Sequence, residues 1–333
     1  MRVNVISESS FTVKGHGVHS VYKDNLKALR ETPGLDVFSK IFAKSDVVHL
    51  HTAGPVAVLM MRYSATRSVV TAHLTPDSLV GSLAAGRLLA RIARRYLRWF
   101  YSRADAVIAL SAHMRDQLDD LGVTSPITVI PNAIFNSRMP RTISRMDARK
   151  AIAVDPDTKI VLSVGQLQPR KGIWTFHRCA RLMPETLFIW VGAFPFGPLT
   201  ASYWTMRRML KSKPANVVHA GHLPREYVKT YYSAADVYFH PSYHELDPVA
   251  VLEAAASGLP LVLRDLECYR SAPTASYVLG TDSTFTEQLR SLCNDEGLRS
   301  RRADEAARWA ASRPHERAAI ALVSLYERLV QED

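Results

Sequence analysis

Two short stretches hold most of the residue types that could do chemistry. In SVGQLQPRKG (163–172) a glycine, Gly165, ends an apolar strand, and the cations Arg170 and Lys171 stand just before a helix. Fixed positive charge beside the unpaired N–H groups of a helix N-terminus suits a diphosphate and stabilises a departing phosphate. In YFHPSYHELDPVAVLEAAASGLP (238–260) two carboxylates, Glu245 and Glu253, bracket the start of an alanine-rich helix that begins near Val249. Acidic groups beside an anion site suit the hydroxyls of a sugar. Asp247 fits the N-cap of that helix and Pro248 its first position, where a missing N–H costs nothing. Each stretch alone also has a plainer reading, as an exposed basic turn and as a capped helix with surface glutamates.

The elements that must carry these residues are legible as alternating apolar strands and helices. RVNVIS opens the chain as a buried strand, followed by a loop with Gly15, His16 and Gly17 and a helix over about 18–30. Strand, glycine loop and helix open a Rossmann-like unit, in which the backbone approaches a ligand closely. DVVHLH (46–51), SVVTAH (68–73), AVIAL (106–110) and ITVI (127–130) follow as strands. Ligands of parallel sheets bind at the strand carboxyl ends, where His51, His73 and Ser111 fall. His73 is either a cleft residue or a histidine satisfied by its loop. The pattern loosens after Asn132, and a second alternation begins with KIVLSVG at 159–165. This predicts an α/β protein of two Rossmann-like domains, 1–135 and 136–315, with a closing helix in 316–333 expected to pack back on the first.

Composition agrees with a globular protein of two domains. The 333 residues are 47% hydrophobic and 22% charged, and the three cysteines lie far apart without metal-ligand spacing. No disulfide framework, zinc site, secretory leader or membrane span is expected, which points to the cytosol. The net charge of +11 sits almost entirely in residues 1–150, with 21 Lys/Arg against 11 Asp/Glu. A basic half joined to a neutral one implies a polyanionic surface facing the first domain. GRLLARIARRYLRWFYSR (86–103) concentrates that charge: Arg87, Arg91, Arg94, Arg95 and Arg98 alternate with Leu88, Leu89, Ile92, Tyr96, Trp99 and Phe100 at helical spacing. Such a helix, Trp99 included, fits an anionic membrane surface, the alternative being a core helix with a solvated arginine face. No nucleic-acid-binding motif accompanies it.

Taken together, VGQLQPRKG, IWVGAF, HPSYHELDPVAVLEAAASGLP, VIPNAI and TAH resemble the family 4 retaining glycosyltransferases of GT-B architecture. The likeness covers essentially the whole chain. It implies transfer of a sugar from a nucleotide-sugar co-substrate, a UDP-hexose by family likeness, with no metal and no other cofactor. Lys171 would hold the donor phosphates with Arg170, Glu253 the ribose, and Glu245 would lie near the sugar. Gly165, Asp247 and Val249 would line the donor site, His73 the cleft beside the transferred sugar, and Gly15, His16 and Gly17 the first-domain phosphate or acceptor loop. The catalytic set so implied is Glu245, His73 and Lys171. Gln166 replaces the usual arginine and Asp247-Pro248 the usual Phe-Gly of the family. QLQPRKG, FIWVGAFPFGPLT and LVLRDLECY are similar to a narrower Gram-positive branch that adds a hexose to monoglucosyl-diacylglycerol. A membrane glycolipid acceptor, met on the cytoplasmic face, is therefore expected. A soluble transferase for a polysaccharide or small sugar and a silent GT-B-like binding protein stand as alternatives.

Overall fold

Short runs of branched apolar residues without polar alternation make strands buried on both faces. The computed structural model describes residues 1–332 apart from 10–16, 64, 80, 83–85, 135–142 and 271–275. The first half builds β1 (Arg2–Ile6), α1 (Gly17–Arg30), β2 (Asp36–Phe38), β3 (Ser45–Leu50), α2 (Pro55–Tyr63), β4 (Ala65–Thr71), α3 (Gly86–Tyr101), β5 (Ala106–Ala109), α4 (Ala112–Leu121) and β6 (Ile127–Val129). The second builds α5 (Arg145–Ala151), β7 (Ile160–Val164), α6 (Ile173–Leu182), β8 (Leu187–Val191), α7 (Tyr203–Lys211), β9 (Val217–Gly221), α8 (Arg225–Ala234), β10 (Val237–His240), α9 (Val249–Ala256), β11 (Leu261–Arg264) and β12 (Val278–Gly280). Three further helices close the chain: α10 (Phe285–Asn294), α11 (Glu296–Ala311) and α12 (His315–Gln331).

The strands form two parallel sheets of six, ordered β2-β1-β3-β4-β5-β6 and β12-β11-β10-β7-β8-β9. Each order reverses once, between β1 and β3 in the first sheet and between β7 and β10 in the second. A crevice opens at the carboxyl ends of the strands at such a reversal. Contacts between loops at those ends bring the two sheets face to face, which is the GT-B architecture. The glycine loop after β1 belongs to the first reversal, but Gly15 and His16 lie outside the described residues. Gly17 is the exposed first residue of α1.

Two parts of the chain differ from the sequence-based expectation. Residues 132–158 show no apolar periodicity, yet α5 forms there, because its buried face is Ala148 and Arg149 rather than a hydrophobic stripe. Ser144 caps it by accepting from Asp147 N, and the Arg149 guanidinium bonds Asp236 Oδ2 at 2.7 Å and the Ala234 carbonyl at 3.0 Å. The edge strand β2 is three residues long, too short for a periodic signal.

The closing helix packs on the first sheet. Leu322, Leu325, Tyr326 and Leu329 of α12 join a core with Val3, Val5, Val47 and Val69. Buried imidazoles help hold the layers: His49 contacts the Tyr326 hydroxyl and Thr71 Oγ1, each at 2.7 Å, and His177 on α6 meets His219 on β9 at 2.9 Å. Burial pushes His49 and His177 down to about 3 and His219 to about 4, with neighbouring positive charge adding to the effect. Unfolded histidines take up protons below about 6.5, whereas these stay neutral while folded. Their contribution is therefore intact above pH 6.5 and is lost as the pH falls. Urea unfolding should show stability declining between pH 6.5 and 5 by up to about 1.4 kcal/mol per pH unit for each imidazole. A flat profile in that window would contradict the neutral assignment.

Candidate active site

The reversal between β7 and β10 collects the chemistry. After β7, Gly165 leads into a single 3-10 turn, Pro169–Lys171, that Gly172 closes in the left-handed conformation with φ 78°. A side chain at Gly172 would collide with the Pro241 carbonyl, so glycine lets this turn lie against the loop after β10. Tyr243 N and Ser242 Oγ then donate to the Arg170 carbonyl at 2.7 and 3.0 Å. Parallel strands and one glycine thus place Arg170 and Lys171 beside Glu245, 74 residues later in the chain.

Lys171 Nζ donates to Glu245 Oε1, and both side chains are almost fully buried. His240 Nε2 reaches the same oxygen at 2.8 Å. Burial would raise the Glu245 carboxyl, but the Lys171 charge, the His240 hydrogen bond and the Arg170 charge hold it well below the usual carboxylate range. Burial lowers the His240 pKa, so the neutral ring donates to Glu245 from Nε2. The Lys171 ammonium is also lowered, by burial first and by Arg170 besides, against the pull of Glu245. Arg170 Nε donates to Ser82 Oγ of the first domain at 2.7 Å, and Nη1 to the His244 carbonyl at 3.2 Å. The two cations of the expected phosphate clamp are therefore already engaged, one with a carboxylate and one across the cleft.

Asp247 departs from its expected place. Pro248 occupies the N-cap of α9 with no side-chain cap, and the Asp247 carboxylate turns away, accepting from Asn132 N at 2.7 Å and Arg313 Nη1 at 2.8 Å. The Asn132 amide donates in turn to the Asp247 carbonyl at 2.7 Å. A backbone N–H and a guanidinium satisfy a buried carboxylate better than the end of a helix that begins with proline, so Asp247 ties the two domains together. Val249 is the first residue of α9 and half-buried, and its neighbour Glu253 is buried a turn further on. Arg225 Nη2 donates to Glu253 Oε1 at 2.7 Å and the Tyr232 hydroxyl to Oε2 at 3.3 Å.

On the first domain, His51 and His73 follow the ends of β3 and β4, with His51 Nδ1 and His73 Nε2 3.1 Å apart and the rings stacked. Two residues on, Thr75 Oγ1 stands 3.5 Å from His244 Nε2, which brings this loop to the one bearing Glu245. Ser111, also at a strand end, is the N-cap of α4 and accepts from Met114 N. Residues that periodicity and motif did not single out are His240, Arg225, Tyr232 and Ser82. His240 ends β10 and Arg225 follows β9, so the rule that ligands gather at strand carboxyl ends would have marked both.

The basic helix α3 lies outside this cluster and is divided between core and solvent. Leu97, Phe100 and Tyr101 are buried, and Tyr96 donates to the Ala53 carbonyl at 2.8 Å. Leu88 and Ile92 are 65% and 62% exposed, and Trp99 and Leu89 are exposed with them. Arg91, Arg94, Arg95 and Arg98 are exposed beside these, and the Arg87 side chain lies outside the described residues. The helix is thus a core element along one edge and an apolar and basic surface along the rest.

Comparison with known proteins places these features in context. Residues 6–138 match the model of Glycosyltransferase Family 4 and residues 144–309 that of Glycosyl transferases group 1. The alpha-galactosylglucosyldiacylglycerol synthase of Streptococcus pneumoniae is 31% identical, over 83% of this chain and 76% of its own. The processive diacylglycerol alpha-glucosyltransferase of Acholeplasma laidlawii is 30% identical, over 81% and 80%. Among solved structures, sucrose-phosphate synthase from Thermosynechococcus elongatus superposes with a TM-score of 0.83 at 17% identity, covering 100% of this chain and 99% of its own. HepE from Anabaena, in complex with UDP and glucose, gives 0.76 at 17% identity, covering 98% and 99%.

Replacing Lys171 with Met would leave the Glu245 carboxylate buried beside fewer cations. Denaturant unfolding should show a loss of about 3–5 kcal/mol, most of it restored in the Lys171→Met/Glu245→Gln double variant. Equal instability of the single and double variants would mean that the pair is not coupled.

Proposed function

Because the chain belongs to the glycosyltransferases described by the family 4 and group 1 models and represented by the two diacylglycerol glycosyltransferases, we propose that it is a retaining hexosyltransferase acting on a membrane glycolipid such as monoglucosyl-diacylglycerol. The observation that carries this reading is the cluster of half-buried Arg170 and Lys171 around buried Glu245 at the reversal of the second sheet, facing the first domain. A UDP-hexose would lay its diphosphate on Arg170, Lys171 and the backbone N–H groups at the start of α9, near Gly165 and Val249. Lys171 would then exchange Glu245 for phosphate, freeing the carboxylate to accept from a sugar hydroxyl. Glu253 would hold the ribose. The bond from the anomeric carbon to the diphosphate oxygen breaks, the acceptor oxygen bonds to that carbon from the same face, and its proton passes to the departing phosphate. Positioning and charge stabilisation carry such a reaction, with the two cations serving where other enzymes use a metal ion. His73 lines the acceptor side of the cleft.

The acceptor assignment draws on the two relatives, whose names specify diacylglycerol-based substrates, and on the exposed apolar and basic surface of α3. Leu88, Leu89, Ile92 and Trp99 would enter the headgroup boundary while Arg91, Arg94, Arg95 and Arg98 meet anionic lipid, on the cytoplasmic face. Among the described residues no helix is long and apolar enough to cross a membrane.

Incubating a panel of nucleotide-sugars with diacylglycerol and monoglucosyl-diacylglycerol, read by mass spectrometry, should give an added hexose from a UDP-hexose, with EDTA leaving the rate unchanged. Lys171→Ala and Glu253→Ala should each lower turnover about a hundredfold or more, and normal activity in both would sink the donor-site assignment. Reversing Arg91, Arg94 and Arg95 to Glu should abolish binding to anionic vesicles. Transfer to water-soluble sugars alone would favour a soluble transferase instead.

A further inference from the structure

The donor reading leaves unexplained why the carboxylate assigned to the ribose is tied to the other domain. Arg225 opens α8 and forks between two carboxylates on different domains. Its Nη2 donates to Glu253 Oε1 at 2.7 Å, while Nη1 stands 3.3 and 3.2 Å from the two oxygens of Asp24 on α1. The three side chains are 29%, 11% and 6% exposed, so these ion pairs are poorly screened. Tyr232, also on α8, donates to the second Glu253 oxygen, so both oxygens are gripped by one helix. A planar guanidinium held at both ends has little freedom to turn, unlike one held at a single end. Asp24 therefore fixes Arg225, and Arg225 fixes Glu253.

We propose that Arg225 is a positioning residue that makes the orientation of Glu253, and with it the grip on the nucleotide ribose, depend on the first domain lying close enough for Asp24 to reach. Resting on the donor-site reading above, this assigns to Asp24 an influence on nucleotide affinity although it belongs to the opposite domain. By reciprocity, a nucleotide that draws on an oriented Glu253 favours the apposed arrangement of the domains. The second domain would thus bind its donor most tightly when the acceptor domain is in place.

Removing Arg225 would take the shared cation from two buried carboxylates and destabilise the fold, so the test cuts the link at its far end. Calorimetric titration with UDP should give an affinity about tenfold weaker for Asp24→Asn than for the unaltered chain, with near-ultraviolet circular dichroism unchanged. Glu253→Gln should weaken UDP at least as much, and Asp24→Asn/Glu253→Gln no further than Glu253→Gln alone, because both act through one carboxylate. Arg225→Lys, which keeps the charge without the fork, should fall between the unaltered chain and Glu253→Gln. Unaltered affinity in Asp24→Asn, or losses that multiply in the double variant, would overturn the inference while leaving the donor site standing. Failure of the unaltered chain to bind UDP would overturn both.

Discussion

The structure depends on one buried ionic contact, that of Lys171 with Glu245. A carboxylate removed from water is stable as an anion only when its charge and its remaining lone pairs are satisfied. Here a lysine, a neutral histidine and a nearby arginine supply that, and the carboxylate is held well below its ordinary pKa as a result. The requirement reaches into the fold. β7 and β10 must be neighbours at the reversal of the sheet, Gly172 must carry no side chain, and the loop after β10 must be bonded to the Arg170 carbonyl. Within this structure the cluster satisfies itself.

Around this cluster the domains meet through polar contacts. Arg170 with Ser82, Asp247 with Asn132, Arg225 with Asp24 and His244 with Thr75 all join residues far apart in sequence. Polar interfaces inside a chain are the kind that open and close, because their groups can be rehydrated at modest cost. Apolar contacts join the domains too: α12 lays Leu322, Leu325 and Tyr326 on the first sheet, and Leu246 packs against the first-domain core. One edge is therefore anchored by hydrophobic burial, while most contacts between the facing loops are polar.

The basic helix α3 shows how a single sequence pattern serves two surfaces. Leu97, Phe100 and Tyr101 enter the core while Leu88 and Ile92 remain in solvent. Trp99 is exposed with the cation of Arg103 5.2 Å from its ring. The expected core helix with a solvated arginine face accounts for its buried edge, and membrane binding by the exposed remainder is the proposal made above.

The sequence by itself determined the two sheets, because buried parallel strands are continuous apolar runs that need no partner to be recognised. It also marked Arg170, Lys171, Glu245 and Glu253, since each lies in a local pattern of strand, turn and helix start. Helix α5 escaped, since its buried residues are an alanine and an ion-paired arginine rather than an apolar stripe. What only the tertiary structure decided is which charge meets which. Lys171 and Glu245 were legible as separate groups, but not as partners. Asp247 has the chemistry of an N-cap, yet Asn132 and Arg313 compete for its carboxylate and win, because they come from elsewhere in the chain. Arg225 stands after a strand end, but nothing local names its partners, since its two carboxylates are 201 residues before it and 28 after. Ion pairing is set by distance in space, and local periodicity carries no record of it.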